Sequence, residues 1–201
     1  MRGKGNPVAD VTFHFDPICP WSWRASRWLA KVAEARGLDV EWRSFSLAVL
    51  NEGKEIPEAY RAPMAASRRA LRLVEALHTG GRGEEAAAFY AELGARVHEA
   101  GAPLTDEVVA EAAEAAGVGE AASALDDASW DAAVRAAHDR AFSSAGPDIG
   151  SPVIILEGAE RGLHGPILSA IPGEKDGAAL WDAVESLLRS PIFFEVKRGR
   201  R

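Results

Sequence analysis

One cysteine stands in this 201-residue chain, and its surroundings suit redox chemistry. Cys19-Pro20-Trp21-Ser22 follows a short apolar stretch and opens a helical pattern. A thiol at the start of a helix meets unpaired backbone N–H groups and the positive end of the helix dipole. Both favour thiolate over thiol, so the Cys19 pKa is expected below the free value of about 8.5. The thiolate is the nucleophile of disulfide exchange. Pro20 fits the first helical turn, where its missing N–H costs nothing. Ser22 occupies the place of the second cysteine in a C-x-x-C pair, and its hydroxyl can hydrogen-bond the thiolate and lower its pKa. A lone buried cysteine is ordinarily inert packing; the strand-to-helix junction and the adjacent proline favour the reactive reading here. With one cysteine, no disulfide can close within the chain.

The elements that position Cys19 follow from periodicity. Val8 to Phe15 alternates as a strand, with Val11, Phe13 and Phe15 on one face, and stops at Asp16-Pro17. A helix is expected from about Trp21 to Arg36, with Trp21, Ala25, Trp28, Leu29 and Val32 on its apolar side and Gly37 ending it. Val40, Trp42 and Phe45 suggest a second strand, which makes a βαβ unit and a parallel pair. Ser46 to Pro57 reads as a loop. Residues 57–145 read as helical almost throughout, with a helix opening at Thr105-Asp106-Glu107 and another over Asp127 to Phe142. Strand character returns at Pro152 to Leu156, with Arg161 to His164 as its hairpin partner. A last helix spans Gly177 to Leu188, and the basic tail Lys197 to Arg201 reads as a solvated terminus. The order β-α-β, helical block, β-β-α gives an α/β chain in three parts: residues 1–56, a helical insertion over 57–145, and 146–201. Without the insertion, the element order is that of a thioredoxin-like fold.

Composition bounds the function. The formal net charge of -7 argues against nucleic acid as a partner. No apolar run is long enough for a membrane span, and Met1 to Asp10 lacks the apolar core of a signal peptide, so a cytoplasmic location is expected. No histidine or carboxylate set has metal-ligand spacing, and there is neither a G-x-G-x-x-G nor a P-loop. No tightly bound cofactor is expected. A reducible molecule such as a deazaflavin or a nitroaromatic would be a substrate. Monomer and homodimer both stay open.

The stretch Phe13 to Trp23 resembles the active-site segment of DsbA-like oxidoreductases. More narrowly it resembles the mycothiol-dependent nitroreductase and FrnE-like group, whose motif is C-P-W-C. Further matches occur in the same order at Ser46 to Glu52, Pro57 to Arg61, Leu93 to His98, Gly150 to Ile154 and Gly165 to Ser169. The resemblance implies a thioredoxin core with a large inserted helical subdomain. It implies mycothiol, or another low-molecular-weight thiol, as cosubstrate for a small-molecule or disulfide acceptor. It places Ser151-Pro152 as the cis-proline loop facing Cys19, and Trp21 as a wall of the substrate site, although its spacing with Trp28 equally says core. It makes Asn51, Tyr60 and His98 pocket candidates, beside plainer roles as a loop cap, a packing tyrosine and a packing histidine. His14 lies close enough in sequence to tune Cys19, unless alternation turns it away, and His164 reads as a loop residue.

Ser22 is the departure from that family. It leaves a monothiol cycle in which Cys19 forms a mixed disulfide and an outside thiol resolves it. It also keeps open a kappa-class glutathione-transferase-like or isomerase activity, with Ser22 or the helix end activating a bound thiol, and a non-catalytic thiol- or peptide-binding role.

Overall fold

The computed structural model describes residues 9–199. The chain order is β1 (Val11–Phe15), α1 (Pro20–Arg36), β2 (Val40–Ser44), α2 (Leu47–Leu50), α3 (Glu58–Thr79), α4 (Gly83–Gly94), α5 (Asp106–Ala115), α6 (Asp131–Ala145), β3 (Val153–Leu156), β4 (Leu163–His164) and α7 (Glu174–Leu188). The strands form one sheet in the order β2-β1-β3-β4. β1 runs parallel to β2, as the βαβ reading required, with Phe13 opposite Trp42. β3 is antiparallel to β1 and to β4.

Local chemistry accounts for the ends of α1. Pro20 occupies its first turn, and Gly37 closes it at φ 67°, a left-handed conformation that glycine adopts without steric cost. Thr105 accepts from the Val108 N–H and caps α5.

Several boundaries differ from the pattern. The stretch read as a loop holds the short helix α2, capped by Ser46, whose hydroxyl accepts from the Val49 N–H. Four residues are too few for a period to register. The helix expected from Asp127 begins as a 3₁₀ turn over Ala128–Trp130 and becomes α-helical at Asp131. The last helix starts at Glu174 and not Gly177. β2 stops at Ser44, one residue short of Phe45. His164 is paired in β4 opposite Val153 and is not a loop residue. The expected strand start at Val8 and the last tail residues, Arg200 and Arg201, lie outside the described residues, while Lys197 to Gly199 are exposed.

A main hydrophobic cluster joins the sheet to the helices. Val11, Phe13, Phe15, Ile154 and Leu156 meet Trp23, Trp28 and Leu29 of α1, Leu71 and Val74 of α3, Phe89 and Leu93 of α4, and Trp181 of α7. The Phe15 ring stacks on Tyr90 at 3.7 Å between centroids. The helices between β2 and β3 therefore share their core with the sheet. Among the described residues no helix is long and apolar enough to cross a membrane.

Candidate active site around Cys19

Cys19 caps α1 in an extended conformation at the carboxyl end of β1. Its backbone N–H donates to the Asp16 carbonyl at 3.0 Å, which folds residues 16–19 into a tight turn. The side chain is buried, with 6% of its surface exposed. Its Sγ donates to the Ser151 carbonyl at 3.3 Å. The Ser151-Pro152 peptide is cis, as the resemblance implied. The first helical turn and the loop before β3, more than a hundred residues apart in sequence, thus close on one sulfur.

A second set of bonds runs beneath that sulfur. The Asp16 N–H donates to Ser151 Oγ at 2.9 Å, and Ser151 Oγ lies 2.5 Å from Ser22 Oγ. One direction of donation satisfies the chain: Asp16 N–H to Ser151 Oγ, Ser151 O–H to Ser22 Oγ, and the Ser22 hydroxyl toward the sulfur. Ser22 is fully buried, so it acts on Cys19 from inside the protein.

Asp16 was legible in the sequence only as the end of a strand; the structure makes it a hub. Its carboxylate accepts from the Ile18 N–H at 3.1 Å, from the Leu47 N–H at 2.6 Å and from the Ser67 hydroxyl. It therefore ties the Cys19 turn to α2 and α3. Burial pushes this carboxyl above the usual carboxylate range, and the three donors pull it back.

The expected depression of the Cys19 pKa is not what the structure shows. Burial pushes the thiol up. The Ser22 hydroxyl and N–H and the Trp21 N–H pull it down, while the Asp16 charge pushes it up further. Desolvation outweighs the helix end because the sulfur sits under the cis-proline loop and away from water. The Cys19–Ser151 bond also belongs to the protonated form, since only S–H can donate to a carbonyl.

The other sequence candidates fall out as follows. Pro20 is exposed beside the sulfur and Trp21 is half-buried, with the Arg24 guanidinium 5.1 Å from its ring centroid. Pro152 is buried in the cis loop. His98 sits in a π-type turn, Ala95–Glu99, after α4. Its Nε2 bonds the Pro17 carbonyl at 2.8 Å and its ring stacks on Trp23, so it braces the turn before Cys19. Burial lowers its pKa, against the pull of the Pro17 hydrogen bond. Asn51 donates from Nδ2 to the Leu47 carbonyl at 2.8 Å, a capping contact on α2. Tyr60 is 56% exposed on the first turn of α3, so it is not a packing tyrosine. His14 is turned to the Ser44 carbonyl, 3.0 Å from Nδ1, and burial lowers its pKa to about 4. Among the described residues no group of three His, Cys, Asp or Glu side chains could hold a metal ion.

The site thus consists of a buried cysteine at a strand-to-helix turn, facing a cis-proline loop. Residues 18–198 fit the family model described as Rv2466c-like, mycothiol-dependent nitroreductase Rv2466c. The chain belongs to that family. It is 31% identical to the uncharacterized protein Rv2286c of Mycobacterium tuberculosis (strain ATCC 25618 / H37Rv), an alignment covering 96% of this chain and 83% of that protein. Its fold is that of cytosolic disulfide reductase DsbM from Pseudomonas aeruginosa, at TM-score 0.60 and 22% identity over 88% of this chain and 98% of the other. The same protein solved with GSH matches at TM-score 0.59 and 19% identity over 88% and 99%. The disulfide oxidoreductase DsbA from Proteus mirabilis matches at TM-score 0.56 and 14% identity over 91% and 89%. The α/β architecture is therefore a DsbA-like thioredoxin fold with helices inserted between β2 and β3.

Proposed function

We propose that this protein is a monothiol oxidoreductase in which Cys19 exchanges disulfides with a low-molecular-weight thiol. Membership of a family described as mycothiol-dependent points to mycothiol as that thiol. The observation that carries the reading is the site's geometry. The sole cysteine lies under a cis-proline loop, its sulfur bonded to the Ser151 carbonyl and supported from below by Ser22.

The cycle has two exchanges. The Cys19 thiolate attacks one sulfur of a disulfide acceptor, the acceptor S–S bond breaks, and the other sulfur leaves as a thiolate that takes up a proton. Cys19 is then held in a mixed disulfide. A second cysteine at position 22 would expel the bound thiol from within; Ser22 cannot. An incoming thiol gives up its proton, attacks the mixed disulfide, and releases Cys19 with a new disulfide as product. The net of these two exchanges is one thiol consumed, one acceptor half released as a thiol and the other half carried off in a disulfide with the incoming thiol; a second thiol completes reduction of the acceptor. The backbone edge at Ser151-Pro152 aligns the incoming chain, and the Trp21 face, beside exposed Pro20, offers a flat wall for a planar acceptor. Asn51, Tyr60 and His98 are the further pocket residues of this reading, with His98 acting through the Pro17 carbonyl.

Burial of Ser22 disfavours the rival in which its hydroxyl activates a bound thiol, because Ser151 Oγ covers it. The test is Cys19→Ala assayed with mycothiol and a disulfide or nitroaromatic acceptor, beside mass spectrometry of the unaltered protein. The variant is expected to lose thiol-dependent turnover, and the unaltered protein to carry one thiol adduct on Cys19. Turnover retained in Cys19→Ala refutes the reading.

A further inference from the structure

The charges on α1 set two arginines apart. The chain has 30 acidic residues against 23 lysines and arginines, so carboxylates are abundant. Many arginines elsewhere use them: Arg36 pairs with Asp182, Arg43 with Glu75, Arg72 with Asp131 and Arg135 with Glu52, whereas Arg161 and Arg198, without an ion pair among the described residues, are exposed. Arg24 and Arg27 form no ion pair among the described residues. Arg24 donates one long bond, 3.3 Å to the Leu168 carbonyl, and lies against the Trp21 ring. Arg27 donates to Ser26 Oγ at 3.3 Å and lies 4.4 Å from the Trp23 ring centroid. A guanidinium has five N–H donors, so each keeps most of its capacity unused.

Burial makes this pattern informative. Both arginines are half-buried. Desolvation lowers the Arg27 pKa, and the Glu99 charge only partly opposes it. A cation drawn from water without an anionic partner is unfavourable, and a ligand anion would relieve it. Three residues apart, the two side chains leave α1 on the same side. They stand close to the reactive end: Arg24 follows Ser22 by two residues, and its charge is felt at His98, which braces the Cys19 turn. The leading influences on the Cys19 thiol are burial, Ser22, Asp16 and Trp21, so these cations are not what activates it.

We propose that Arg24 and Arg27 bind an oxyanion, a carboxylate carried by the small molecule that exchanges disulfides with Cys19. The proposal rests on the exchange reading and names a substrate class for it. The Trp21 and Trp23 rings lie against the two guanidiniums, and a guanidinium's planar set of N–H donors matches a carboxylate. The carboxylate belongs to the disulfide acceptor where mycothiol, which carries no carboxylate, is the incoming thiol; a carboxylate on the incoming thiol would require a different one.

Because Cys19 is the sole cysteine, chromogenic disulfides report on it alone. Rates of Cys19 modification by dithiobis(nitrobenzoate), which carries a carboxylate on each ring, and by uncharged dithiodipyridine give an anionic-to-neutral ratio. In the double variant Arg24→Gln/Arg27→Gln that ratio is expected to fall about tenfold, the effect of losing charge-assisted bonds worth one decade in affinity. In the unaltered protein the ratio falls as salt is raised, which needs no variant to fold. A second ratio locates the anion. The pyridyl adduct of Cys19 is resolved by mercaptopropionate and by mercaptoethanol, and a carboxylate on the incoming thiol makes this ratio fall in the variant. Both ratios holding within about twofold in the variant, with no salt response, overturn the proposal. If neither disulfide labels Cys19 in the folded protein while both label the unfolded chain, the exchange reading itself fails and takes the proposal with it.

Discussion

Replacing Ser22 with alanine tests the one group that acts on the sulfur from inside the protein. Its hydroxyl favours the thiolate, while burial and the Asp16 charge oppose it. Ser22 is fully buried, so no bulk water replaces the lost donor. A hydrogen bond to a charged group contributes about 1.5–3 kcal/mol, and one pKa unit is about 1.4 kcal/mol. The Cys19 pKa should therefore rise by about one to two units in Ser22→Ala. The thiolate fraction at neutral pH falls by the same powers of ten. A more basic thiolate is more nucleophilic, with a Brønsted coefficient of about 0.4–0.5, which recovers nearly half of the loss on a logarithmic scale. Disulfide exchange should consequently slow by about 3- to 16-fold, not by the full hundredfold at the upper end. Ultraviolet absorbance of the thiolate against pH measures the pKa, with Cys19→Ala supplying the baseline for the two tyrosines. An unchanged pKa in Ser22→Ala refutes the reasoning: the Ser22 hydroxyl would then donate to Ser151 Oγ, reversing the step proposed between those two hydroxyls.

Other perturbations probe the frame that holds the site. A methyl group at Gly94 would overlap the Trp23 ring, so Gly94→Ala should destabilise the protein by about 1–3 kcal/mol through overpacking, read from the urea midpoint. His14 gives a pH signature. Its folded pKa of about 4 lies below the unfolded value of 6.5, so the unfolded chain binds a proton first as pH falls. Stability should accordingly drop between about pH 6.5 and pH 4 by about 3 kcal/mol, and His14→Gln should lose that part of the acid sensitivity while the same urea titration detects it.

The site's skeleton was legible in the sequence because its signals are local. Alternation over Val11, Phe13 and Phe15, proline after cysteine, and Gly37 seventeen residues on are enough to write strand, turn and helix. The short α2 escaped because four residues carry no period, although Ser46 three positions before Val49 was a usable capping signal. Asp16 escaped for another reason. Its partners Leu47 and Ser67 and its neighbour Ser151 are far away in the chain, and a carboxylate before proline reads as a turn whatever it later touches. The Cys19 pKa escaped on the same ground. The helix end that lowers it is written beside it, while the Ser151-Pro152 loop that buries it is written 132 residues later.

That opposition bears on how a monothiol site works. The protonated sulfur donates to the Ser151 carbonyl, so the resting state is a capped thiol. An incoming N–H or O–H donor that engages the cis-proline edge would compete for the same carbonyl. Once the S–H loses that acceptor, the remaining contacts are the Ser22 hydroxyl and the N–H groups of Trp21 and Ser22, all of which favour thiolate. Occupation of the loop and activation of the nucleophile are then one event, because both turn on a single carbonyl oxygen. A dithiol site can release a wrong partner with its second cysteine. This chain has no second cysteine, and on the proposed cycle keeping Cys19 protonated until the loop is engaged would limit which molecules become attached to it.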